Sequence, residues 1–75
     1  MIKSLRGRIE NAGIFPYFRY DSPVCITGTL RAVDELDPLN NHDIITSEVI
    51  SCHNRVVETR NSIYTIDIDF EYDKK

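Results

Sequence analysis

IITSEVISCHNRVVETRNSIYTIDIDF, residues Ile44 to Phe70, decides how this chain folds, because it reads as three consecutive antiparallel strands joined by two tight turns. In the last third, Tyr64, Ile66, Ile68 and Phe70 alternate with Thr65, Asp67 and Asp69, a period of two that sends one set inward and the other to water. The middle run, Arg55 to Arg60, carries Val56, Val57 and Thr59, whose branched side chains suit a pleated surface better than a helix. His53-Asn54 supplies the first turn, since asparagine tolerates the positive φ of a two-residue hairpin connection. Asn61-Ser62 is read as the second. Val49, Ile50, Val56, Val57, Ile63, Tyr64 and Ile66 then become cross-strand neighbours. Such a meander leaves an apolar face that the rest of the chain, or a second subunit, must cover.

Working outward, Val24 to Arg31 alternates in the same way and gives a fourth strand, with Gly28 marking a bulge or bend. Asp34 to Asp43, DELDPLNNHD, has the composition of a surface loop with at most one helical turn. Near the start, Ile2, Leu5, Ile9 and Ala12 follow a three-and-four spacing that favours a short helix between Ser4 and Gly13, with a strand over Ser4 to Ile9 as the alternative. After Phe70 the tail EYDKK is expected to fray. The expected architecture is therefore mainly β, either all-β or α+β: a small antiparallel sheet or partly open barrel of four to five strands, in a single domain spanning residues 1–75.

One segment stands apart. Phe15, Tyr17, Phe18 and Tyr20 crowd around Pro16, which forbids a helix there and favours an edge strand or an extended arm. The plain reading makes this arm a lid over the meander; the functional one makes it an aromatic anchor for a partner.

The net charge of −3 is unevenly spread. Lys3, Arg6, Arg8 and Arg19 against Glu10 make the first twenty residues basic, whereas residues 21–48 set Arg31 against Asp21, Asp34, Glu35, Asp37, Asp43 and Glu48. A solvated surface, head-to-tail self-association or attraction to a charged partner each explains this asymmetry. No run is long enough to span a membrane and no signal-peptide pattern opens the chain, so a cytoplasmic protein with Cys25 and Cys52 reduced is expected.

Chemistry is sparse. Only His42 and His53 could serve as a general base, and neither lies in a catalytic motif, so enzymatic activity is not expected. Cys25, His42, Cys52 and His53 are ligand types without ligand spacing, and Gly7, Gly13 and Gly28 form no phosphate-cradling loop; neither metal nor cofactor is implied. The basic, aromatic N-terminal third suggests nucleic acid, but a pI near 5.2 opposes general phosphate binding, and twelve carboxylates against nine cations are too few for a nucleic-acid mimic. A binding surface is better sought at Arg60, Asn61, Ser62 and Tyr64, where a guanidinium, an amide and two hydroxyls lie beside an aromatic face. The plainer alternative is that Asn61 and Ser62 shape a turn and Tyr64 sits in the core.

From Thr46 to Ile66, TSEVISCHNRVVETRNSIYTI resembles small phage- and prophage-encoded accessory proteins: a Thr-Ser pair, an apolar alternation, a turn, a Val-x-Thr and an Asn-Ser-x-Tyr. It departs from that pattern at the first turn, where His53-Asn54 replaces the usual Asp-Gly or Asn-Gly. The resemblance implies a non-enzymatic modulator, an inhibitor of a host defence or regulatory protein, as a homo-oligomer. Sequestration of a small cyclic nucleotide inside an oligomer is a second implication, for which Arg60, Asn61 and Arg55 are the residues to line the subunit junctions; a structural virion or nucleic-acid-associated protein is a third reading, with no distinguishing feature in the sequence.

Overall fold

In a computed structural model, which describes residues 3–16 and 24–74, the chain is built from strands with no helix among the described residues. The seven strands are β1 (Leu5–Pro16), β2 (Val24–Ala32), β3 (Asp43–Ile45), β4 (Val49–His53), β5 (Val56–Thr59), β6 (Ile63–Ile66) and β7 (Tyr72–Asp73). They form one sheet in the order β3-β2-β1-β6-β5-β4-β7. The mainly β expectation holds, with more strands than the four or five foreseen.

Chain length dictates the shape of this sheet. β3 and β4 lie five places apart in the order, roughly 24 Å if the sheet were flat. Only Thr46, Ser47 and Glu48 join them, a link that reaches at most about 14 Å. The sheet must therefore curl until β4 approaches β2. Thr46 fixes the corner: its N–H donates to the Ile26 carbonyl at 2.9 Å, while its hydroxyl accepts the Ile26 N–H at 3.0 Å and donates to the Ser47 carbonyl. Residues 43–53 thus act as one bent ribbon that pairs first with β2 and then with β5. Counted that way, five legs run alternately up and down around the curl, so the first and last point the same way. This is why β1 pairs with β6 in parallel while every other pair is antiparallel. The ladder itself stays open, since no bridge joins β2 to β4 among the described residues.

The interior of the curl holds Ile9, Ile26, Leu30, Val49, Cys52, Val57, Tyr64 and Ile66. Thr59 is also fully buried, and its hydroxyl is satisfied by the backbone of Ser62. Both cysteines are free, buried thiols.

The favoured N-terminal helix is corrected to a strand. Gly7 explains why: a Cβ at this position would lie 2.3 Å from the Arg31 carbonyl oxygen, so the β1 backbone is pressed directly against β2. Pairing with β2 on one side and β6 on the other overrides a helical spacing carried by four residues. Gly13 lies within β1 and does not end an element. The tail also does not fray through Asp73, because Tyr72 and Asp73 add to the outer edge of β4 and Tyr72 stacks on Phe70 with ring centroids 5.8 Å apart.

The meander is present as β4-β5-β6, with details moved. Its first run is divided, residues 43–45 going to β2 and 49–53 to β5. The turns sit one residue off the expected pairs. Asn54 and Arg55, at φ 52° and 63°, make the first in the primed conformation, and Arg60-Asn61 make the second between Thr59 and Ser62. Residues 34–42 form the expected surface loop, closed by Asp34 and Asp37 carboxylates accepting the N–H groups of Leu36 and Leu39.

Candidate functional site

The structure separates the residues singled out from sequence. Tyr17, Phe18 and Tyr20 lie outside the described residues, so the reading of the arm as lid or anchor lies outside them too. Phe15 is on β1 next to its last residue, opposite Cys25 and 44 % exposed. Arg60 and Asn61 are exposed at the β5–β6 turn, where the Arg60 N–H donates to the Glu48 carbonyl at 3.0 Å. Ser62 shapes that turn. Tyr64 faces the core at 4 % exposure, near the Arg6 guanidinium, so it does not share a surface with Arg60 and Asn61. Arg55 is held by the Asp69 carboxylate at 2.9 Å.

A different region carries the geometry of a binding surface. β1 and β2 keep register from Gly7↔Ala32 to Glu10↔Thr29 and resume it at Gly13↔Thr27, so Asn11 and Ala12 together oppose Gly28. This is a β-bulge, and each participant has a reason to be what it is. Gly28 has φ 148°, and a Cβ there would lie 2.5 Å from the Ile9 side chain and 2.6 Å from the Glu10 carbonyl oxygen. Asn11 takes φ 55° on the other strand. The Asp67 carboxylate reaches over from the end of β6 to accept the N–H groups of Asn11 and Ala12 at 2.8 and 2.9 Å. Those two donors, Ala12 first, hold Asp67 below the usual carboxylate range.

Beside the bulge lies β3, an edge strand. Leu30 donates to His42 and Thr46 donates to Ile26, which sets the alternation of the ladder: Ile44 faces Gly28, whereas the main-chain groups of Asp43 and Ile45 point away from β2. Their side chains stand on the outer face with those of Thr29 and Thr27, their ladder partners. An open groove of about 650 Å3 runs along this face from Asn11 to Ile45. Ile45 is 64 % exposed at one end of it. Asp43, at the other, accepts the Thr29 hydroxyl at 2.7 Å. The sequence carried one signal of this site, the expectation of a bulge at Gly28; β3 itself is hidden because Ile44 to Cys52 reads as a single strand.

At the opposite edge, β7 is clasped. His53 sets Nε2 2.9 Å from Asp73 and Nδ1 3.5 Å from Glu71, and Glu71 also accepts the Asn54 N–H. The Asp73 carboxylate foremost, then Glu71, raise the His53 pKa. These carboxylates occupy opposite ring nitrogens and do not converge, and no group of three metal-ligand side chains forms among the described residues. Burial, the main cause, pushes both thiols above their ordinary pKa, which keeps Cys25 and Cys52 protonated and poor nucleophiles.

Another ion pair ties the long loop to β1. Arg6 grips Asp37 through two nitrogens at 2.8 and 3.0 Å, lowering the Asp37 pKa to about 2. Among the described residues no helix is long and apolar enough to cross a membrane. Comparison with protein-family models, with curated proteins and with solved structures returned no match.

Proposed function

We propose that this chain is a non-enzymatic binding protein, a phage-type modulator that inhibits a host defence or regulatory protein by occupying it in the host cytoplasm. The observation that supports this reading most is the open β3 edge, where Ile45 stands 64 % exposed beside a groove and the outward main-chain groups have no strand partner among the described residues. Exposed apolar side chains of this kind contribute to recognition, because covering them removes apolar area from water at about 25 cal/mol per Å2. The β1–β2 hairpin end adds Ile14 and Phe15, at 41 % and 44 % exposure, and leads into the segment with Tyr17, Phe18 and Tyr20. Homo-oligomerisation is part of the same proposal, as an association of small subunits through surfaces other than β3.

The test immobilises the intact chain and its Ile45→Glu variant in parallel over bacterial host lysate, then assays the captured protein for inhibition by added free chain. The reading requires a host protein that the native chain retains and inhibits, and that the folded variant releases. Equal retention by both chains, or retention without inhibition, overturns it.

A further inference from the structure

We infer that the β3 edge accepts an extended, cationic segment of the partner as an added strand; this rests on the binding role proposed above. β-Addition needs main-chain donors and acceptors directed away from the sheet, and the ladder alternation supplies them at Asp43 and Ile45. Specificity comes from alternate side chains. A strand laid beside β3 sets one residue next to Asp43 and, two positions along, another next to Ile45, both over the groove. An apolar residue suits Ile45, and a lysine or arginine suits Asp43.

Charge on the neighbouring loop points the same way. Asp34 and Glu35 are exposed on the loop that leads into β3, whereas Arg31, on the strand beside it, is already engaged by Glu10 and Asn41. The edge therefore presents uncompensated negative charge to an arriving strand.

A second copy of this chain fits less well. Antiparallel self-pairing centred on Ile44 sets each Asp43 against an Ile45. Centring it on Asp43 puts two carboxylates face to face, and centring it on Ile45 carries the register into Thr46–Glu48, which has already turned away toward β4. A short, charged edge strand also discourages pairing with a second copy.

The test uses two synthetic peptides that alternate threonine with either lysine and valine or glutamate and valine, titrated into the full 15N-labelled chain. The lysine peptide should shift the Asp43 and Ile45 amide signals and bind at least about tenfold more tightly than the glutamate peptide. Asp43→Lys should invert that order. Ile45→Pro should lose binding, since proline removes an N–H that points outward and makes no bond to β2. If Ile45→Pro disturbs the fold, the Asp43→Lys inversion decides alone. Equal binding of both peptides, no inversion, or shifts confined to another surface overturns the inference. If no peptide binds while Ile45→Glu still abolishes host capture, the cationic-strand inference falls and the binding role stands.

Discussion

The two halves of the curl are held by different physics. β4, β5 and β6 form a meander in which each strand pairs with its neighbour in sequence across a connection of a few residues. β1, β2 and β3 are set by contacts between residues far apart in the chain: the Asp67 carboxylate on the bulge, Arg6 on Asp37, and Gly7 and Gly28 lying under opposing backbone. Local pattern builds the first half. The second depends on particular side chains, and it is also the half with the open edge, whereas the β7 edge is clasped by His53. This places the candidate site on the part of the molecule with the least redundancy.

Gly28→Ala should break that contrast most severely. The new methyl group meets Ile9 and Glu10 inside van der Waals distance and the backbone sits at φ 148°, so overpacking and strain together should cost roughly 3–4 kcal/mol in urea unfolding. Gly13→Ala, on the same hairpin, meets only the Thr27 hydroxyl at 3.0 Å and should cost under about 1 kcal/mol. Equal losses at the two positions would show that the bulge is not the constraint.

Asp67→Asn removes a charged acceptor from two N–H groups. Because the folded-state pKa of Asp67 is depressed, its contribution is fully present above the unfolded carboxylate value and is lost as pH falls through the folded one. The native chain should therefore lose stability with acid more steeply than the variant. The same measurement on Asp69→Asn, whose carboxylate meets only an exposed Arg55, should show a smaller difference.

How much of this the sequence disclosed follows the same division. The meander was legible because Tyr64, Ile66, Ile68 and Phe70 alternate at period two and Asn54 announces its turn. The turn was misplaced by one residue because Arg55, at φ 63°, occupies a position where glycine is the usual signal. β1 was misread because Leu5 and Ile9 match a helical stripe by accident, and the requirement for Gly7 appears only once β2 lies against it. β3 was hidden because the polar link Thr46-Ser47-Glu48 between Ile44-Ile45 and Val49-Ile50 contains no glycine, proline or asparagine to mark where the chain leaves one partner for another. Of the candidate residues, Arg60 and Asn61 are on the surface and Tyr64 is in the core. Asp43 and Ile45 were unforeseeable as an edge without the sheet order.

In the meander, Asn54→Ala should cost about 1 kcal/mol, since alanine resists the left-handed conformation that Asn54 adopts at φ 52°. Thermal unfolding would measure it, and the loss should be the same at pH 6 and pH 8 apart from any effect on the neighbouring Glu71 contact.

The smallest effect concerns the clasp on β7 and has a definite sign. His53 has a raised pKa in the folded chain because Asp73, then Glu71, favour its protonated form. A group shifted in this direction contributes fully below its unfolded value of about 6.5, and that contribution is lost as pH rises through the folded value. The melting temperature of the native chain should therefore fall slightly between pH 6 and pH 8 relative to His53→Gln. Both carboxylates and the ring are half-exposed or more, so added salt should shrink the difference. Because the clasp joins β7 to the β4–β5 turn and touches nothing in the β1–β2–β3 half among the described residues, exchange at the Tyr72 and Lys74 amides, which point at β4, should accelerate with pH beyond the intrinsic chemical rate, while exchange at Ile44 keeps its intrinsic dependence. If Ile44 follows Tyr72 instead, the two edges open together, and the division of the curl into a clasped side and an open side is wrong.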